Sequence, residues 1–211
     1  SELQRAVIDR VIDPTLAALR EGGTPFTGLL YAGVMLTRSG PKVVEFNCRF
    51  GDPETETLLP LLSSSLLDPI VAVARGESLA GIAPFQWKDA ASVTTVLAEA
   101  GYPESPRSGD TIAFPESDDD VYVFHAGTRV AEGSRPKPDA ASDADPGVVT
   151  AGGRVLAITA VGATLAVAAA KSRGYAEQVD FDGKQMRRDI GRRELALLAG
   201  LGQSQRGSHG A

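Results

Sequence analysis

The sequence predicts an α+β chain in two parts, a helix with a β-hairpin followed by a small, mostly β domain that carries one Ala-rich helix. Three observations lead there. Near the N-terminus Leu3, Val7, Ile8, Val11 and Ile12 recur at helical spacing and share a face. Two apolar runs, 26–36 and 42–48, flank Arg38-Ser39-Gly40-Pro41, which is the pattern of a hairpin. Beyond Trp87 the composition shifts, and short runs rich in Val, Thr and Ile alternate with Gly and Pro turns. A domain boundary is therefore expected near residues 86–91, giving domains 1–88 and 89–196 and a disordered tail over 197–211.

The elements follow in order. The helix over 3–19 contains Pro14, which is expected to split or kink it, and Glu21 to Pro25 reads as a stop and a loop. Asp52-Pro53-Glu54 is a helix-start signal, with Asp as N-cap and Pro in the first helical position. That helix is expected to run through Leu58, Leu59, Leu61 and Leu62. A short helical piece over Asp68–Ala74 should end near Gly76. Strands are expected at 92–99, 111–114, 121–130 and 155–161, and a helix over Gly162–Ser172. Asp118-Asp119-Asp120 reads as exposed charge rather than a metal site, and residues 133–147 as a mobile loop.

Composition removes several function classes. The 211 residues are 43% hydrophobic and 23% charged, ordinary for a globular chain. A net charge of −6 without a basic stripe argues against a nucleic-acid partner. The single Cys forbids an internal disulfide. The longest uncharged run, Val155–Ala170, falls short of a membrane span, and no signal-peptide pattern opens the chain, so a cytoplasmic location is expected. Of the two His residues, His209 lies in the tail and His125 reads as a half-buried, hydrogen-bonded structural residue. Neither a Cys/His zinc site nor a Ser–His–Asp triad can be assembled.

The segment that carries chemistry is EFNCRFGDPE, residues 45–54. Alternation along a strand puts Glu45, Asn47 and Arg49 on one face, at spacings of about 7 Å, with Val44, Phe46 and Cys48 on the other. Cys48 is accordingly expected in the core. A carboxylate and an amide oxygen at i and i+2 suit a hard cation such as Mg²⁺, which takes one or two carboxylates and completes its shell with phosphate and water. Arg49 offers a planar donor fork for phosphate or carboxylate. Gly51 permits a sharp turn into a helix whose first amides can hold an anion, whereas Asp52 and Glu54 there favour a substrate amine. An ordinary solvent-facing strand edge with a helix cap fits the same pattern.

The stretch TGLLYAGVMLTRSGPKVVEFNCRFGDPETETLLPLL resembles the end of the ATP-grasp domain of the glycinamide ribonucleotide synthetase family. The strings AGYPESPRSGDTI, VFHAGT, GGRVLAITAVGATLAVA and RRDIG agree with the same family in the same order, so the resemblance covers roughly residues 5–195. It implies the C-terminal part of an ATP-grasp domain followed by the family's C-terminal domain. It also implies ATP-dependent ligation of 5-phosphoribosylamine and glycine to glycinamide ribonucleotide, in de novo purine biosynthesis. By the same resemblance Glu45 and Asn47 bind Mg²⁺ or Mn²⁺ at the ATP phosphates. Arg49 acts at the reacting groups, and Arg49, Asp52 and Glu54 face the substrate. Arg154, Arg187, Arg188 and Asp189 fall in the C-terminal domain, with either substrate-binding or interdomain roles. Ala151 departs from the family's usual Asn or Ser, and 133–147 reads as an insertion. The nucleotide-binding segments of the family lie upstream of anything in this sequence, so a separate N-terminal half is the expected partner and the chain alone is expected to be inactive. Two alternatives stand beside this: another ATP-grasp carboxylate–amine ligase, or a catalytically silent interaction module.

Overall fold

The N-terminal helix survives its proline. The computed structural model, which describes residues 2–131 and 147–207, shows α1 (Glu2–Val7), a wide π-helical turn (Ile8–Ile12) and α2 (Asp13–Glu21) in succession. Proline has no N–H, and its ring crowds the carbonyl four residues earlier. The turn just ahead of Pro14 widens to absorb this: the Asp13 N–H reaches back five residues to the Ile8 carbonyl. The expected break is thus a bulge. Gly22 and Gly23 end the helix, the Gly22 N–H donating to the Ala18 carbonyl at 2.9 Å and Gly23 adopting φ 76°.

The hairpin forms as expected. Strands β1 (Tyr31–Thr37) and β2 (Gly40–Asn47) pair antiparallel around Arg38-Ser39. Thr37 Oγ1 pins that turn by donating to the Gly40 carbonyl at 2.8 Å while accepting from the Ser39 N–H at 3.2 Å. Beyond the hairpin, α3 (Glu54–Leu58) gives way to a 3₁₀ turn (Leu59–Leu61). The helix expected through Leu62 stops early because Pro60 cannot donate to the ladder. Because α3 begins at Glu54, Pro53 precedes the helix and does not open it. Next comes α4 (Leu67–Ala74), closed at Gly76 with φ 69°.

By its contacts the chain divides into two units, Ser1–Thr55 with Ser64–Gln86, and Glu56–Ser63 with Trp87–Ala211. The second unit is built on β3 (Ala91–Ala98), β4 (Val121–His125), β5 (Thr128–Val130), β6 (Val148–Thr150), β7 (Arg154–Gly162) and β8 (Gln185–Met186). Four of these form an antiparallel sheet in the order β4-β7-β3-β8, and β5 pairs with β6. Helix α5 (Leu165–Gln178) lies on the sheet. Its buried side is Ala168, Ala169, Ser172, Tyr175 and Ala176; all but Tyr175 are small residues that let backbone approach backbone. Leu97, Val155, Leu156, Ile158 and Val179 are fully enclosed and form the centre of the core.

Helix α5 starts later and runs further than its sequence suggested. Thr164 caps it by accepting the Val167 N–H at 3.3 Å, and Gly162 belongs to β7. The strand expected over 111–114 reduces to isolated bridges at Thr111 and Ala113. That expected over 121–130 divides at Ala126-Gly127, where a Cβ on Gly127 would lie 2.6 Å from the Arg154 carbonyl oxygen. Helix α6 (Arg192–Gly207) occupies the start of the segment read as a tail. His125 is exposed, not half-buried, with Nδ1 2.9 Å from Thr128 Oγ1. Asp118 and Asp120 pair with Lys171 Nζ at 3.3 and 2.6 Å. Residues 133–146 and His209 lie outside the described residues. Among the described residues no helix is long and apolar enough to cross a membrane.

Candidate functional site

The hairpin sets the site's register. Glu45 stands opposite Gly33, and Asn47 opposite Tyr31, two residues along the same strand pair. Because alternation is preserved from Glu45 to Asn47, carboxylate and amide fall on one face. Gly33 has a role here. A Cβ on it would lie 3.1 Å from Glu45 Cγ, so the missing side chain makes room for the carboxylate to lie across the neighbouring strand. The register shifts between Gly33 and Val34, leaving Val44 with no opposite residue, a β-bulge. The alternation read from the sequence therefore begins at Glu45 and does not extend back through Val44.

The chain then turns and folds Glu54 back over Gly51. A Cβ on Gly51 would sit 2.6 Å from Glu54 Oε2, and Thr55 fixes the turn by donating to the Gly51 carbonyl through N–H at 3.0 Å and Oγ1 at 2.6 Å. Glu54 accepts a hydrogen bond from the Tyr31 hydroxyl. The negative charge of Glu54 is the largest cause raising the Tyr31 pKa, followed by burial; Glu45 raises it further and Arg49 opposes. Tyr31, Glu45, Arg49 and Glu54 thus share one electrostatic neighbourhood. Tyr31 is the member that sequence reasoning missed; its signal was the pairing with Asn47 across the turn. Arg49 Nη1 donates to the Phe50 carbonyl at 2.8 Å, so part of its fork steadies its own loop.

The other side of β2 is open. Val44 is 68% exposed and Phe46 40%, and Cys48 is exposed as well, contrary to the expected core position. A two-stranded ribbon has only one flank to bury. Val43 and Phe46 meet a shallow groove against Arg10, Pro14 and Ala18, and nothing in this unit covers the rest.

The donor set on the polar side, one carboxylate and one amide oxygen, fits a hard divalent cation that takes its remaining ligands from phosphate and water. Among the described residues no group of three His, Cys, Asp or Glu residues forms a protein-only metal cage.

The remaining candidates belong to the second unit. Arg154 opens β7 opposite Ala98 and is half-buried. Arg188 and Asp189 lie between β8 and α6 and line a cleft of about 470 Å³ with Arg173, Ile190, Arg192 and Leu195; Arg154 does not line it. Asp189 takes two bonds from Arg187, at 3.0 and 2.7 Å, which hold its carboxyl below the usual range. Arg188 Nε donates to Glu177 at 3.1 Å.

Residues 92–193 match the phosphoribosylglycinamide synthetase C domain, and residues 1–55 match the ATP-grasp (A) domain of the same synthetase. A phosphoribosylamine–glycine ligase of Synechocystis is 44% identical over 197 residues, covering 90% of this chain and 44% of the relative. The human trifunctional purine biosynthetic protein adenosine-3 is 40% identical over 200 residues, 94% of this chain and 18% of that protein. The crystal structure of phosphoribosylamine–glycine ligase from Thermotoga maritima superposes with a TM-score of 0.69 at 34% identity, over 86% of this chain and 41% of that one. The chain thus spans less than half the length of the relatives it matches.

Proposed function

Because the chain belongs to the phosphoribosylglycinamide synthetase family, we propose that it is the C-terminal part of a ligase joining 5-phosphoribosylamine and glycine to give glycinamide ribonucleotide. ATP is the co-substrate, the setting is purine biosynthesis, and the location is the cytoplasm. The observation that carries this reading is the paired register of Glu45 and Asn47, with Gly33 cleared beneath the carboxylate and Glu54 folded in beside them. The division into 1–88 and 89–196 is kept as the functional one, the first part ending the ATP-grasp domain and the second forming the C-terminal domain.

In this reading Glu45 and Asn47 hold Mg²⁺ or Mn²⁺, which neutralises charge on the ATP phosphates when bound. The γ-phosphoryl group passes to the glycine carboxylate, the amine of phosphoribosylamine attacks the acyl carbon, and phosphate leaves. Arg49 is the donor that stabilises charge on the reacting groups. Asp52 and Glu54 orient the ammonium of glycine and the incoming amine, and Tyr31 holds Glu54 in place for that task. Within the second unit, taken by itself, Arg188 and Asp189 are assigned to substrate binding and Arg154 to a structural role.

The partner is the portion of the ligase that precedes the matched region in the relatives. The exposed apolar side of β2 supports this, since a surface that includes Val44 and Phe46 is costly to leave in water. As a test, Glu45→Gln in the chain supplied with that portion should lower metal-dependent ADP formation about a hundredfold or more, with circular dichroism unchanged. Near-normal turnover would remove Glu45 from the site.

A further inference from the structure

We propose that Ser92 and Thr94 of β3 are positioning residues for Glu54: by clamping the last turn of α3 they fix the helix whose first residue carries that carboxylate. The task of Glu54 at the substrate amine rests on the reading above; the clamp on α3 does not.

Helix α3 is too short to hold itself. Its five residues, Glu54–Leu58, are well under the roughly 12–15 at which an isolated helix becomes marginal in water. Other parts of the chain hold each end. The first turn is fixed by Thr55 on the Gly51 carbonyl, and the boundary between the two units falls just after it, between Thr55 and Glu56. The last turn belongs to the second unit. There Ser92 Oγ donates to the Thr57 carbonyl at 2.6 Å, one of the C-terminal carbonyls that a helix cannot satisfy itself. Thr57 Oγ1 lies 2.6 Å from Thr94 Oγ1, which in turn lies 2.6 Å from Thr159 Oγ1.

This row of hydroxyls is rooted in the core. Thr94 stands opposite Thr159 in the register of β3 with β7, both strands are interior in the sheet, and Thr159 is fully buried. Alternation along β3 divides its residues between two tasks. Val93 and Thr95 serve α5, through the cluster with Ala168 and Ala169 and the contact with Ser172. Ser92 and Thr94 fall on the other side and meet α3. Apolar packing is non-directional and lets a helix slide or turn. Hydrogen bonds have directions, so these fix α3 both along and about its axis. Glu54 stands three residues before Thr57, about 4.5 Å along that axis, so a shift of the last turn reaches it through a single turn of helix.

The test reads hydrogen exchange of the Thr55 amide in the full chain, and KM for glycine in the chain supplied with the preceding portion of a relative. Thr94→Val and Ser92→Ala should each speed Thr55 exchange about fivefold or more and raise KM for glycine about tenfold, with KM for ATP unchanged. Ser92→Ala removes one bond and little bulk, so it reads the clamp even where Thr94→Val fails to fold. Thr94→Ser, which keeps the hydroxyl, should behave as the unaltered chain. Ser172→Val, on the opposite side of the same sheet, should lower stability without moving either readout. If Thr94→Val and Ser92→Ala lower stability alone, or Ser172→Val raises KM for glycine equally, the positioning role is overturned. The two readings fail separately. No ADP release by the unaltered mixture removes the ligase reading, and faster Thr55 exchange in Ser92→Ala still upholds the clamp. An active mixture in which both variants leave Thr55 exchange and KM for glycine unchanged removes the clamp alone.

Discussion

Tyr31 and Glu54 show how a site is assembled from single side chains. Glu54 folds back because Gly51 offers no Cβ, and the Tyr31 hydroxyl then bonds its carboxylate. Ionising the phenol would place a second negative charge against Glu54, so Tyr31 should titrate above the ordinary value of 10.0. The folded value is the higher one, so this contribution to stability is complete below pH 10 and is lost as pH rises through the raised value. Glu54→Gln should bring Tyr31 back down, and Gly51→Ala, which displaces Glu54, should do the same. A ¹³C NMR titration of the Tyr31 ring reads both; an unchanged Tyr31 in Glu54→Gln would break the link. The shared face of Glu45 and Asn47 was legible in sequence because alternation along a strand is a local property; Arg49, expected on the same face, lies in the bend beyond the end of β2 at Asn47. Tyr31 was not legible, because its place in the site comes from cross-strand pairing, which no single segment encodes.

At the scale of elements, helix α5 is held by two polar devices that its Ala-rich sequence conceals. Ser172 is fully buried; it donates to the Ile158 carbonyl at 2.8 Å and lies 2.7 Å from Thr95 Oγ1. With the Ser172 proton committed to Ile158, Thr95 is the donor between the two hydroxyls. Ser172→Val would strand both partners in the core, and the expected loss is about 1–3 kcal/mol in denaturant unfolding. At the other end, Lys184 Nζ donates to the carbonyls of Ala176, Glu177 and Val179, supplying a cation where the helix C-terminus is negative. Burial pushes the Lys184 pKa down. Lys184→Met should cost about 1 kcal/mol, and a cost no greater than that of Lys88→Met, on an exposed side chain, would deny the cap. Element boundaries were the least legible feature. The wide turn before Pro14 and the early end of α3 at Pro60 both follow from one missing N–H, yet the sequence cannot say whether such a loss breaks a helix or widens it. That depends on what surrounds the freed carbonyl.

Across the whole molecule, the two-part α+β order and the hairpin were readable because apolar spacing and turn residues agreed with each other. Three features were not readable: β6, β8 and α6. The two strands are short and owe their existence to neighbours distant in the chain. The polar composition at the end of the sequence disguised α6. The exposure of Cys48 and Val44 has the same root, since a face patterned for burial needs an element to bury against. The central claim is that this chain carries the metal-binding and substrate-facing residues of a ligase whose nucleotide-binding segments lie elsewhere. The most direct measurement is ADP release with Mg²⁺, ATP, glycine and phosphoribosylamine, by the chain alone and by the chain supplied with the preceding portion of a relative. ADP release that requires glycine and appears only on mixing is the predicted result. No release from a mixture in which both parts are folded and associated would contradict it.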